Sequence, residues 1–165
     1  MKKMMMTLAI ALLAAQAWAG DGDSFLNVNA GFLFPSTLNA SLGYERELSY
    51  GDAVELSAEM GNHWQKNPTT GKADGSFFWK GYYWDGALVY KHCLKHYKNG
   101  QLRLRIGPLA GAEQGDFYYG AEGGLEYSYY FPSGWQLTVC QKNNVCFKSA
   151  DTFRNGLTVG VKIPL

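Results

Sequence analysis

From Ser24 to Ile163 the chain alternates, with few breaks, between aromatic or aliphatic residues and residues that are polar or glycine. A two-residue period belongs to extended strands, whose successive side chains point to opposite faces, and not to the 3.6-residue helix. Ser24 to Phe34 sets Leu26, Val28, Ala30 and Phe32 against Asn27, Asn29 and Gly31. Thr37 to Leu48 sets Leu38, Ala40, Leu42 and Tyr44 against Asn39, Ser41, Gly43, Glu45 and Glu47. Six more segments follow: Ala53 to about Gln65, Phe78 to Leu94, Gln101 to Ala112, Phe117 to Phe131, Trp135 to about Phe147, and Phe153 to Ile163. The pattern therefore predicts about eight strands, an even number.

Turn chemistry separates them. Ser49-Tyr50-Gly51-Asp52, Lys98-Asn99-Gly100 and Pro132-Ser133-Gly134 read as tight turns, Asn-Gly being the strongest short hairpin signal. The third and seventh connections, after Gln65 and after Phe147, are longer, whereas the first and fifth, at Pro35-Ser36 and Gln114-Gly115-Asp116, are short. Short turns at one end with longer loops at the other are the pattern of outer-membrane barrels.

Residues 1–19 are of another kind. Lys2 and Lys3 precede an apolar run from Met4 to Ala15, and Ala17-Trp18-Ala19 offers small residues for cleavage before Gly20. That is a secretory signal peptide, its apolar run shorter than the roughly 20 residues a spanning helix needs. The expected mature chain is a single domain, residues 20–165. Without Lys2 and Lys3 the formal charge falls from +1 to +1 − 2 = −1, so no basic field remains to draw nucleic acid. A mean hydropathy of −0.22 does not exclude the membrane, because a barrel needs apolar residues only at alternate positions.

What occupies the second face separates the candidate architectures. Glu55, Glu59, Asp85, Lys91, Arg103, Arg105, Glu122, Glu126, Lys142 and Lys162 all fall opposite the apolar residues. In a soluble sandwich or lipocalin-like barrel these charges face water. In an outer-membrane barrel they pair inside a narrow polar lumen. Aromatics near strand ends, including Phe34, Tyr44, Trp64, Trp79, Phe117, Phe131, Trp135 and Phe153, fit the interfacial girdles of the membrane version. The expected fold is accordingly an all-β, antiparallel, up-and-down eight-stranded barrel of outer-membrane type, surrounded by outer-membrane lipid.

Catalytic and metal chemistry leave little trace. His63, His92 and His96 have no metal-site spacing, and His92 and His96, four apart, would share a face only on a helix. Neither a metal nor a cofactor is expected. Ser128, His92 and Glu126 are the residues from which a lipid-directed barrel hydrolase would have to build a triad, without any local motif to support it. Cys140 and Cys146 are the candidate disulfide among three cysteines. They lie about 20 Å apart if one strand runs through both, and face each other only if Lys142-Asn143-Asn144 turns.

Several ordered segments resemble the TraO family of conjugative-transposon transfer proteins. Leu109-Ala110-Gly111-Ala112-Glu113 is similar to that family's Leu-Ala-Gly-Tyr-Glu. Phe117-Tyr118-Tyr119-Gly120 with Leu125-Glu126 resembles its Phe-Leu-Tyr-Gly and Leu-Thr-Leu-Glu pattern, and Phe153 with Thr158-Val159-Gly160-Val161-Lys162 resembles its closing strand. The resemblance implies an exported, non-enzymatic envelope component of a conjugative DNA-transfer apparatus, with other transfer proteins as partners. It brings no catalytic residues and implies structural roles for the glycines and Glu126. The alternatives are a barrel enzyme acting on lipid, and a structural or adhesive surface barrel unrelated to conjugation.

Overall fold

The computed structural model describes residues 22–34, 37–63 and 81–165. The expected signal peptide, Trp64, Trp79 and the start of the fourth expected strand at Phe78 lie outside them, as does the Pro35-Ser36 turn. Eight strands are present among the described residues: β1 Ser24–Phe34, β2 Thr37–Glu47, β3 Ala53–His63, β4 Tyr82–Tyr97, β5 Gly100–Glu113, β6 Asp116–Tyr130, β7 Gln136–Phe147 and β8 Phe153–Pro164. Each pairs antiparallel with its neighbour in sequence, and β8 returns to pair with β1, closing an up-and-down barrel. Closure leaves no sheet edge, so every strand's backbone can be satisfied without water, which a bilayer demands.

The alternation settles each strand's orientation. Val28, Phe32, Leu42, Leu88, Ile106, Leu125, Leu137, Leu157 and Val159 are exposed outward, while most residues between them are buried. A soluble barrel does the opposite, placing its apolar face inside and its charges in water. Here the charged face is the interior, and exposed Phe34, Phe117, Phe131, Trp135 and Phe153 lie at or beside the strand ends where girdles belong.

Both chain ends of the described barrel emerge at one rim, where Phe25 pairs with Pro164. The same rim carries the three tight turns. In the first, Tyr50 and Gly51 adopt left-handed backbone with φ of 64° and 82°. In the second, the turn is Lys98-Asn99, and Gly100 is already the first residue of β5. The Asn-Gly pair does not form the loop itself: a Cβ on Gly100 would lie 2.5 Å from the Ser128 carbonyl oxygen, so glycine serves close strand packing there.

β4, β5 and β6 outrun their neighbours at this rim. The last pairing of β3 with β4 joins Ala53 to Lys91, and β4 continues to Tyr97, with an irregularity between Cys93 and Lys95. The expected end of this strand at Leu94 is three residues short, because pairing with β5 carries it onward. β7 runs unbroken through Lys142-Asn143-Asn144, so Cys140 and Cys146 sit on one extended strand and all three cysteines are free.

Candidate functional site

The barrel interior holds the molecule's charged chemistry. Strand pairing alone would make it unfavourable, since Glu45 lies directly across from Glu55, Glu59 from Asp85, and Lys91 from Arg105. Like charges at opposed positions repel. The charges are balanced across the lumen instead.

Near the rim that carries the chain ends, Lys91 Nζ contacts three carboxylates: Glu45, Glu55 at 2.6 Å and Glu126 at 2.7 Å. Lys162 Nζ bridges Glu45 at 2.7 Å and Glu126 at 2.6 Å from the other side. Arg103 donates to Glu45 at 2.7 Å and to Glu47, and its Nε donates to the Gly51 carbonyl at 2.8 Å. Arg105 forks between Glu126 at 2.7 Å and Glu122 at 2.6 Å, and Lys142 joins Glu122 at 2.9 Å to Glu59. The network thus ties together β2, β3, β4, β5, β6, β7 and β8. Asn27 extends it to β1 by donating to Glu45 at 3.0 Å.

The far half of the lumen is built differently. Tyr83, Ala87, Leu109, Tyr118 and Cys146 pack there as a small apolar cluster, which Val89 extends back to the level of Glu55. Arg154 lays its guanidinium 3.9 Å from the Tyr83 ring centre and donates to Tyr118 Oη at 3.1 Å and to Glu113 at 3.2 Å. Tyr118 in turn donates to Asp85 at 2.5 Å. The β7–β8 connection folds over this end, with Ser149 donating to Glu113 at 2.6 Å and His63 lying 3.4 Å from Asp151.

Of the ten charges on the second face, the eight Glu55, Glu59, Asp85, Arg103, Arg105, Glu122, Glu126 and Lys162 are buried in the interior. Seven belong to the ion-pair network, whereas Asp85 stands apart with Tyr118. Lys91 and Lys142 are the network's other cations, visible in the sequence as members of the same face. Glu45, Glu113 and Arg154 are the important additions. Parity exposes them too: Arg154 is an even number of residues from Lys162, and Glu45 shares the face of Asn39 and Ser41.

Glu45, Glu55 and Glu126 bring carboxylate oxygens within 4.8 Å of one another, a spacing that suits a cation. The ammonium of Lys91 already takes that position, bonding all three. The triad considered from sequence is not assembled. Ser128 faces the lumen, fully buried, with its hydroxyl 3.4 Å from Glu126, whereas the His92 side chain is 57% exposed on the opposite face of the sheet.

His92 instead belongs to a clasp at the rim. Asp52 accepts the Tyr90 hydroxyl, the Cys93 backbone N–H at 2.8 Å, and lies 3.1 Å from His92 Nδ1. The Tyr90 hydroxyl above all, helped by the Cys93 amide and His92, holds the Asp52 carboxyl below its ordinary value. His96 and Cys93 are 3.2 Å apart beside it.

No protein-family model matches the chain, and no curated protein matches it. Solved structures do. A major outer membrane protein from Thermus thermophilus superposes with a TM-score of 0.66 at 10% identity, covering 88% of this chain and 100% of that one. The Yersinia pestis outer membrane protein Ail, in a phospholipid bilayer nanodisc, superposes with a TM-score of 0.53 at 10% identity, covering 87% and 100%. The chain has the fold of an eight-stranded outer-membrane β-barrel, and its apolar outer wall and ionic interior agree with that class. An outer-membrane location is the setting these likenesses support.

Proposed function

We propose that this protein is a non-enzymatic barrel, sealed through its lumen, which serves the outer membrane by its outer wall and its two rims. The observation that carries this reading is the cross-lumen network centred on Lys91, Lys162, Glu45 and Glu126, which fills the interior from side to side. An eight-stranded barrel has an interior just wide enough for side chains to fill, or for one small ligand. Here those side chains are bonded to one another, so neither a solute path nor a substrate cleft is left in the near half. The lumen charges then act as mutual counter-ions that brace the wall. The signal peptide at residues 1–19 is the proposed route of export.

Planar-bilayer recording of the refolded protein tests the reading directly. No steady conductance is expected at voltages where porins conduct freely, and a stable open level would overturn the sealed lumen. Surface presentation or structural support of the envelope, unrelated to conjugation, is the reading that the fold favours.

One observation supports the narrower conjugative role: the order of the Leu109 to Glu113, Phe117 to Glu126 and Phe153 to Lys162 segments. Barrel construction explains part of that order by itself. Gly111 and Gly120 sit where a Cβ would lie 2.1 and 2.0 Å from a neighbouring strand's carbonyl oxygen, so the close approach of neighbouring strands by itself favours glycine there. Deleting the gene and measuring mating frequency, with envelope integrity scored in parallel, separates the two. A loss of transfer without a leaky envelope is expected for a transfer component, and unchanged transfer would end that reading.

A further inference from the structure

Among the described residues, the outer wall carries one polar patch where hydrocarbon should be. Gln141 and Asn143 project outward from β7, and Asn155 from β8 lies across from Asn143 in register. Gln141 donates to Asn143 at 2.8 Å, Asn143 donates back at 3.2 Å, and the Asn143 amide also approaches the Gly123 carbonyl at 3.4 Å. Asn143 pairs with Gly123, which stands midway between the outward rings Tyr119 and Tyr127, so Gln141 and Asn143 lie at mid-belt, while Asn155, across from Phe34 at the end of β1, lies nearer the rim. Elsewhere on the described outer wall, non-aromatic polar side chains occur near strand ends, as with Ser24, Arg46 and Asn62, or on the part of β4 that outruns β3, from His92 onward.

A second observation comes from the glycine beside these amides. Inward-facing Gly124 is required by the barrel, because a Cβ there would lie 2.0 Å from the Gln141 carbonyl oxygen. Outward-facing Gly123 is not, since a Cβ would meet nothing closer than the Arg105 carbonyl at 3.7 Å. Barrel packing leaves Gly123 unexplained, and with neighbouring Ala121 it makes a low floor next to the amides, of the kind that lets another polypeptide approach closely within a membrane.

We propose that this patch is the contact surface for a second copy of the chain, the two barrels meeting β7 to β7 about a twofold axis along the bilayer normal. Amide side chains are donors and acceptors at once, so the patch complements itself under a twofold operation, whereas it offers no charge to select an acidic or basic partner. Lipid tails cannot satisfy the hydrogen-bonding capacity that the reciprocal Gln141–Asn143 pair leaves over, and a second copy can. The inference rests on the membrane-embedded barrel proposed above.

The test keeps the two apart. The mature protein, residues 20–165, refolded into phosphatidylcholine vesicles is scored first for heat-modifiable migration, which reports the embedded barrel. Energy transfer between donor- and acceptor-labelled copies, diluted with lipid, then reports association. Wild type is expected to associate, and Q141L together with N143L to weaken association by about tenfold or more, with the folded band retained or strengthened because apolar residues suit that depth. Gly123→Leu, which the barrel can accommodate, should weaken it at least as much, and Val159→Leu should not. Transfer no greater than random proximity for wild type overturns the proposal, as does association that survives both the double variant and Gly123→Leu.

Discussion

The two halves of the lumen solve one problem by different means. Near the rim with the chain ends, the space is filled by charges satisfied only as a set: Lys91 touches Glu45, Glu55 and Glu126, and each of these carboxylates also bonds at least one other cation. Toward the far end, Tyr83, Ala87, Leu109, Tyr118 and Cys146, with Val89 reaching back to the level of Glu55, pack as a conventional small core under the Arg154 guanidinium. Buried ions recover their desolvation cost only when fully paired, whereas apolar contacts contribute one at a time. The near half should therefore fail collectively and the far half by increments.

Lys91→Met should cost the most stability. It leaves three buried carboxylates facing one another, and a loss of about 3–5 kcal/mol is expected, measured by urea unfolding in vesicles. Adding Glu126→Gln should restore part of that loss, with a coupling of roughly 0.5–3 kcal/mol, and strict additivity would mean the network is not a unit. Leu109→Ala in the far half should cost about 2–5 kcal/mol, and a second deletion placed well away from it should simply add.

At the rim the expected effects are smaller and local. Asp52→Asn should reduce the hydrogen-exchange protection of the Cys93 amide by about tenfold or less while global stability stays near wild type. The pH dependence has a definite sign. Because the folded-state value of Asp52 is depressed, its contribution is fully present above the ordinary aspartate value of ~3.9 and is lost as pH falls through the lower folded value. Protection of Cys93 lost at neutral pH would contradict the clasp. Ser128→Ala should do least, within about 1 kcal/mol, since its hydroxyl bond to Glu126 is long at 3.4 Å. It should also leave any ester hydrolysis by the purified protein unchanged, because His92 is on the other face of the sheet.

Much of the fold was legible because strand parity is a local property. Val159 and Val161 must oppose Lys162 wherever the strand goes, and the same parity that marked Glu55 and Arg105 also marks Glu45 and Arg154. Less legible was how far each strand runs, as β4 shows. Its continuation to Tyr97 depends on β5 lying alongside it, which residues 92–97 alone do not reveal. The serine–histidine pairing suggested for Ser128 and His92 failed on parity that the sequence itself carries: His92 shares the outward face of Leu88 and Tyr90, and Ser128 the inward face of Glu126.

Backbone stereochemistry sets the two-residue period, so the order of residues was enough to dictate about eight strands with one greasy and one charged face. Which charges meet was left to the closed barrel. Glu45 and Lys162 are 117 residues apart and Glu59 and Lys142 are 83, and strand neighbours would have set Glu45 against Glu55. Closure brings strands that never pair within reach across a narrow lumen, and it turns repelling neighbours into a bonded interior.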